Sequence, residues 1–392
     1  MFVVVLGLSW QQRKSILALK KNKYKIIGVD QDKNSVCKNL VTKFLNIDFI
    51  EVDRVFLALR KITKNPKYIF SFNSDAALVP SAKLRNKFNI SGLSINQSIL
   101  MTNKEKLKFF LQKNEFYISK FIIYDRKKKF STKFKSLKFP CIFKPTVGSG
   151  SKNIQIIKSK TEFNNIIDTN KFFDTNRIIV EEFIEGDEYS VEAFILDHKI
   201  KILSISKRRL HKKITAKEIF TKKIIEKKYH IIKKTVKRFI NLTNINNSPF
   251  HLEIILTKKN RVYIVDAAAR GGGYYVADYL VLKNANFDIN KTLIDIALKK
   301  SKVDFDNIKK NQYFVYIKYI ISKTGIIRNI KKPNLTKSNK IKFISFKKIG
   351  DNSTKHNCDS DRLGAIIGYD KNMKILRNKI HKCYHQTFFD IH

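Results

Sequence analysis

The stretch HLEIILTKKNRVYIVDAAARGGG, residues 251–273, decides how this chain is read. Two apolar, β-branched runs flank the polar TKKNR at 257–261, which is the pattern of a β-hairpin. With the turn on Lys259 and Asn260, antiparallel pairing opposes Lys258 with Arg261, Ile255 with Ile264, and Glu253 with Asp266. Glu253 and Asp266 then share one face, with Cβ atoms ~4.5–5.5 Å apart. Like charges directly opposite destabilise a hairpin unless a cation lies between them. Two hard oxygen ligands suit Mg²⁺, which binds one or two carboxylates together with phosphate. A one-residue slip would send the two acids to opposite faces, so this reading hangs on the turn. Arg270, four residues beyond Asp266, offers a guanidinium for an anionic substrate or a transferring phosphoryl group. His251 shares the face of Glu253 and reads as packing beside it rather than as a base.

The same Arg-Gly-Gly-Gly could instead bind RNA, and the net charge of +46 invites that alternative. RNA-binding Arg-Gly segments are usually repeated and disordered, whereas this one occurs once, between VYIVD and YYVADYL. The lysines are spread along the chain among many Ile, Asn and Phe, all residue types with A/T-rich codons. Codon bias is therefore a sufficient account of the charge. The densest basic runs, Arg126–Lys129 and Lys207–Lys213, read as solvated loops.

At 392 residues with 43% hydrophobic content, the chain can fold as two or three domains. No apolar run approaches the ~18 residues of a membrane span. Phe2–Leu8 lacks a basic flank and a small-residue cleavage site, so it reads as a first buried strand rather than a signal peptide. Cys37, Cys141, Cys358 and Cys383 show no paired spacing, which argues against a disulfide framework or a zinc site and fits a reducing cytoplasm.

FVVVLGLSW followed by QQRKSILALKKNKYKIIGVD reads strand, helix, strand, the opening of a Rossmann-like unit. Ile16, Leu17, Ala18 and Leu19 supply the helix's apolar side, and Ile26–Val29 the second strand, ending at Asp30. Gly7 stands alone where a dinucleotide fingerprint needs three glycines, so NAD is not expected. Strands at Tyr68–Ser71 and Gly92–Leu93 would complete this sheet by about residue 95. A helix spans Lys104–Gln112, and another is expected over Lys217–Phe239. Beyond Lys302, QYFVYIKYII, IKFISFKKIGD and RLGAIIGYD read as strands of a small terminal unit, covered by a helix at Lys374–Cys383.

Two further constellations carry chemistry. In FPCIFKPTVGSGSKNIQII, Lys144 ends a strand and Pro145 holds it extended. Gly148, Ser149, Gly150 and Ser151 follow as a loop whose N–H groups can approach a phosphate, although an ordinary glycine-rich hairpin turn fits as well. In IIVEEFIEGDEYSVEAF, Glu181 and Glu182 close a strand, Phe183 and Ile184 are apolar, and Gly186 permits a turn. Glu188 then re-enters a strand, placed to accept ribose hydroxyls. Lys207, Arg208 and His211, after the strand KIKILSIS, either face an acceptor substrate or form a solvated basic loop.

These constellations, in this order, resemble the ATP-grasp superfamily of carboxylate–amine ligases over nearly the whole chain. The resemblance implies a mixed α/β and α+β fold. Residues 1–95 would form a Rossmann-like pre-ATP-grasp domain, 96–301 the ATP-grasp domain with a mobile lid at about 117–183, and 302–392 a small C-terminal β-rich unit. TNKEKLKFFL resembles the segment bearing the first ATP-contacting lysine, here Lys104, and FKPTVGSGS the second, Lys144, with its glycine-rich lid loop. VEEFIEGDEYSVE resembles the hinge, implying that Glu181, Glu182, Phe183 and Ile184 hold adenine and Glu188 ribose. Glu253 and Asp266 take the metal positions and Arg270 the catalytic one. The family's usual Glu-x-Asn-x-Arg is here Asp266, Ala268 and Arg270, so a second ion would lack a protein ligand.

The implied activity is ATP-dependent amide or peptide bond formation through an acyl phosphate, with ATP and Mg²⁺ (or Mn²⁺) as cofactors. The partners would be a small-molecule carboxylate and an amine, with no membrane and no nucleic acid, and a homodimer stays open. A non-catalytic ATP binder is the alternative, and a basic nucleic-acid-binding protein a more distant one.

Overall fold

The computed structural model describes residues 1–125, 136–168, 177–299, 305, 308, 312–335 and 340–392. The N-terminal sheet is parallel, its strands lying side by side in the order Lys43–Asn46, Lys25–Asp30, Phe2–Leu6, Ile69–Phe70. Val3 and Val5 pack with Ile16 and Leu19 on one face, while Val4 and Leu6 pack with Val55, Leu59 and Leu84 on the other. Burial on both faces is why the first strand is an unbroken apolar run.

Three expectations for this region need correction. Gly92–Leu93 is not a strand: Ser94 and Gln97 form a capping box that starts the helix Ile95–Leu100 immediately afterwards. The missing strand is Lys43–Asn46, a four-residue edge too short to show a pattern. Leu17 is 38% exposed, because helix Arg13–Lys21 turns Ser15, Ile16 and Leu19 inward instead.

The central sheet has eight antiparallel strands. Their order is Val262–Ala268, Ser248–Leu256, Asp187–Leu196, Lys199–His211, Thr215–Thr221, Phe314–Ile320, Gly364–Asp370 and Ile341–Ser345. Three C-terminal strands thus continue this sheet. A three-stranded sheet of Asn352–Ser353, Gly325–Lys331 and Phe388–Ile391, with helix Met373–Gln386, completes that end of the molecule. The expected boundary at 301/302 lies outside the described residues.

Lys217–Thr221 is strand rather than the start of a helix, paired on both sides, and the helix begins at Glu226. Lys199–His211 is a single strand of 13 residues, so Lys207, Arg208 and His211 lie within a sheet and not in a loop. The other basic run, Arg126–Lys129, lies outside the described residues.

A separate four-stranded antiparallel sheet runs Phe121–Asp125, Arg177–Glu182, Cys141–Pro145, Gln155–Ile157. It has its own core, built from Phe143, Ile157, Phe163, Ile178 and Val180. The continuous stretch RIIVEEFIEGDEYSVEAFIL therefore feeds two different sheets, with Phe183–Gly186 as the connection.

In the decisive hairpin, Glu253 does pair with Asp266 and His251 with Ala268. Nearer the turn, however, Ile255 faces Tyr263 rather than Ile264. The turn holds Lys258, Lys259 and Asn260, with Asn260 at φ 58° and the Thr257 N–H donating to Arg261 O at 3.0 Å. A bulge beside Glu253 and Ile254 takes up the extra residue. The two offsets cancel at the carboxylates.

Candidate active site

A cavity of about 390 Å³ opens between the polar face of the central sheet, the loops of the N-terminal sheet and the glycine loop at 148–151. Because side chains alternate along a strand, one face of four adjacent strands collects the polar groups. Ser190, Arg208, His251, Glu253 and Asp266 form this floor. Lys104, Lys144, Gly148, Ser149, Gly150, Ser151, Glu253, Asp266 and Arg270 all line the cavity. Glu181, Glu182, Phe183, Ile184 and Glu188 lie outside its wall.

The carboxylate pair has its charges matched by side chains. Arg208 forms an ion pair with Glu253, and its Nε lies 4.0 Å from Glu188. Burial works against ionisation of Glu253, yet Arg208 and His251 hold its carboxyl well below the usual range. Lys104 Nζ sits 3.5 Å from Asp266 and donates to Gly148 O at 2.7 Å. A guanidinium and an ammonium thus supply the positive charge that the opposed acids require. Among the described residues no cluster of three His, Cys, Asp or Glu groups surrounds a common point. Glu188 is pushed by burial up to about 7, with Arg208 opposing and Glu253 reinforcing the rise.

Lys144 reaches Glu181 at 2.5 Å, and Lys108 reaches the other oxygen of the same carboxylate at 2.5 Å. Ser119 Oγ donates to Glu181 at 2.8 Å. Burial disfavours the Glu181 charge, but Lys108 and Lys144 together hold its carboxyl below the ordinary range. Glu181 therefore acts on the cavity through Lys144. Glu182 turns the other way and accepts from the Lys138 N–H at 2.9 Å. Phe183 lies under Lys213, whose Nζ is 4.9 Å from the ring centre.

Gly148 and Gly150 adopt φ of 138° and 65°, values that an L side chain rarely takes, so glycine is needed there. The loop is docked rather than free, since the Asp359 N–H donates to Gly150 O at 2.9 Å. In the Arg-Gly-Gly-Gly stretch, the reason for glycine is packing against protein. A Cβ at Gly271 would come 2.6 Å from Ala277 Cβ, and one at Gly272 2.8 Å from Glu192 Oε1. The Gly272 N–H donates to Glu192 at 3.0 Å, and Glu192 also bonds His251. Burial would lower the His251 pKa, but Glu192, with Glu253, outweighs it and lifts the imidazole to about 9.

Several groups of this site went unread in the sequence. Asp75 binds Arg270 through both carboxylate oxygens. Its signal was position: it follows the strand Ile69–Phe70, at the carboxyl end of a parallel sheet where such folds place ligands. Lys108 follows Lys104 by four residues and so shares its helix face. Tyr274 and Tyr275 take φ of 50° and 72°, strained for bulky residues beside a cavity, and nothing in the sequence pattern marks them. Arg362, from the C-terminal region, stacks 3.7 Å over the Tyr319 ring and bonds Asp359 at 2.6 Å.

The sequence and fold have known relatives. Residues 137–278 match the ATP-grasp domain family model. An L-arginine-specific L-amino acid ligase of Bacillus subtilis is 24% identical over 235 residues, covering 57% of this chain and 56% of that protein. A D-alanine–D-alanine ligase of Clostridium botulinum is 26% identical over 189 residues, covering 48% of this chain and 56% of that protein. The matches thus span little more than half the length of these curated relatives. Among solved structures, an L-amino acid ligase from Bacillus licheniformis superposes with a TM-score of 0.84 at 16% identity, over 100% of this chain and 98% of that one. Phosphoribosylglycinamide synthetase from Anaerococcus prevotii gives 0.76 at 22% identity, over 100% and 99%. The ATP-grasp domain match thus covers residues 137–278, and the chain shares the fold of these solved structures along its length.

Proposed function

We propose that the protein is an ATP-dependent ligase that joins a small carboxylate to an amine through an acyl phosphate, releasing ADP and phosphate. The observation that carries this reading is the convergence on one cavity of Lys104, Lys144, Glu253, Asp266 and Arg270 under the loop at 148–151. The two ligase relatives in sequence support it.

In this reading Lys104 and Lys144 clamp the ATP phosphates, and the N–H groups of Gly148 to Ser151 cover them. Glu181 holds Lys144 in place. The hinge residues Glu181 to Ile184 hold adenine, and Glu188 takes the ribose hydroxyls. The sheet of residues 121–182 acts as a lid that excludes water from the acyl phosphate. Arg270 stabilises the acyl phosphate and the tetrahedral intermediate formed when the amine attacks. Positioning and charge neutralisation supply most of the rate.

The donor set fits a divalent cation. Glu253 and Asp266 present hard oxygens on one face, and their present partners, Arg208 and Lys104, are side chains able to release them. Mg²⁺ bound there would offset phosphate charge. Ala268 offers no ligand atom, so a second ion would rest on water and phosphate oxygens. The protein would act on small molecules, and no helix among the described residues is long and apolar enough to cross a membrane.

The test is ADP release in a matrix of amino acids and small carboxylates taken in pairs. Turnover should require both substrates and fall at least a hundredfold in Lys144→Ala and Glu253→Ala. ADP release unaffected by those substitutions would overturn the assignment, and ATP binding without turnover in any pair would make the protein a nucleotide binder.

A further inference from the structure

A second cavity, of about 430 Å³, lies where the N-terminal sheet meets the central sheet. Its wall includes two cations, Arg85 and Lys299, and neither an Asp nor a Glu among the described residues. Phe70, Phe72, Leu93 and Leu293 give it an apolar body.

Arg85 is only 4% exposed. Its Nη1 donates to Ile69 O at 2.9 Å, and the guanidinium lies 5.6 Å from the centre of the Tyr68 ring. Nε has no hydrogen-bond partner, and burial alone is strong enough to lower the guanidinium's pKa. The other arginines buried this deeply each meet an acid: Arg208 meets Glu253, and Arg362 meets Asp359. Taking a charge out of water without a counter-ion is costly, so natural sites seldom leave one. Among the described residues, Arg85 is the deeply buried arginine left without one.

We propose that this cavity binds a small monocarboxylate with an apolar body, aryl or branched alkyl, whose carboxylate pairs with Arg85. With Lys299 exposed, Arg85 is the one buried cation of the wall, and beside Phe70, Phe72 and Leu293 it matches one negative charge on an apolar frame better than it matches a phosphate. The site is separate from the lysine–carboxylate cavity, and the proposal does not depend on the ligase reading. It does adjoin that cavity through the backbone. Phe72 and Ala269 face the second cavity, while the next residues, Asn73 and Arg270, face the first. A ligand here presses on the two segments that hold Asp75 and Arg270.

Calorimetry and thermal shift with phenylacetate, 4-methylpentanoate and neutral phenylacetamide test this on the full chain. Both carboxylates should bind saturably and raise the Tm, and the amide should bind at least tenfold more weakly. Arg85→Met should weaken carboxylate binding tenfold or more. Ala297→Phe, which fills the cavity from helix Ile289–Ala297 and leaves Arg85 intact, should do the same. Absence of saturable carboxylate binding to the unsubstituted protein would overturn the proposal. So would equal binding of the amide, or binding undiminished in folded Ala297→Phe.

Discussion

Arg270 Nε donates to Asp75 Oδ1 at 2.7 Å, and Nη2 bonds the second oxygen, so the two side chains meet as a planar fork. The pair joins residues 195 apart in sequence, the end of the decisive hairpin and the N-terminal sheet. Burial opposes the charge on Asp75, yet Arg270, with Lys104 and His251, keeps its carboxyl below the usual range. Asp75 therefore fixes the arginine that the proposed chemistry needs. Asp75→Asn leaves a buried guanidinium facing an amide and should cost about 3 kcal/mol of stability by urea denaturation. Turnover should fall tenfold or more while ATP affinity changes little. A variant with normal turnover would free Arg270 from this dependence.

Lys108 and Lys144 share Glu181, so removing one changes the balance for the other. In Lys108→Met, Glu181 has only Lys144 and Ser119 to satisfy it, and it should draw Lys144 away from phosphate. ATP affinity by calorimetry should weaken about tenfold, near 1.4 kcal/mol. Undiminished affinity would show that Lys108 is only a structural partner of Glu181.

Gly186 connects the 121–182 sheet to the central sheet. A Cβ there would come 2.6 Å from both Leu256 O and Ile255 Cγ2, and the carbonyl belongs to a paired strand that has no room to yield. Gly186→Ala should destabilise the protein by about 2 kcal/mol through overpacking. If the connection is also the lid hinge, KM for ATP should shift in the same variant. A Tm within one degree of the unsubstituted protein would remove the argument.

Much of this was legible because it was local. The first strand, the hairpin and the glycine loop each carry their pattern within about 20 residues, as periodicity allows. The Glu253–Asp266 pairing came out right although the turn was read one residue short, since the bulge restored the register. What stayed hidden was set by tertiary contact. Lys217–Thr221 is strand because Phe314–Ile320 and Lys199–His211 flank it, and no local propensity reports that. Arg208 looked like part of a basic loop because its partners, Glu188 and Glu253, are brought to it only by the sheet.

Glu218 offers a test of the central sheet's C-terminal extension, since it joins Thr215–Thr221 to Phe314–Ile320. It accepts from Tyr316 Oη at 2.7 Å, Lys318 Nζ at 3.0 Å and Arg209 Nη1 at 3.1 Å. Burial alone would raise its pKa, but Tyr316, Lys318 and Arg209 bring it down to about 2 from an ordinary 4.5. A carboxyl depressed in the folded state contributes stability that is full above its unfolded pKa and lost as pH falls through the folded one. The window therefore runs from about 4.5 down to about 2. Glu218→Gln, which leaves Lys318 and Arg209 unmatched, should be less stable by roughly 2–3 kcal/mol at pH 7. That gap should hold at pH 5 and narrow at pH 3 in urea titrations of both proteins. A gap independent of pH would mean that the ionised carboxylate is not what ties the two strands together.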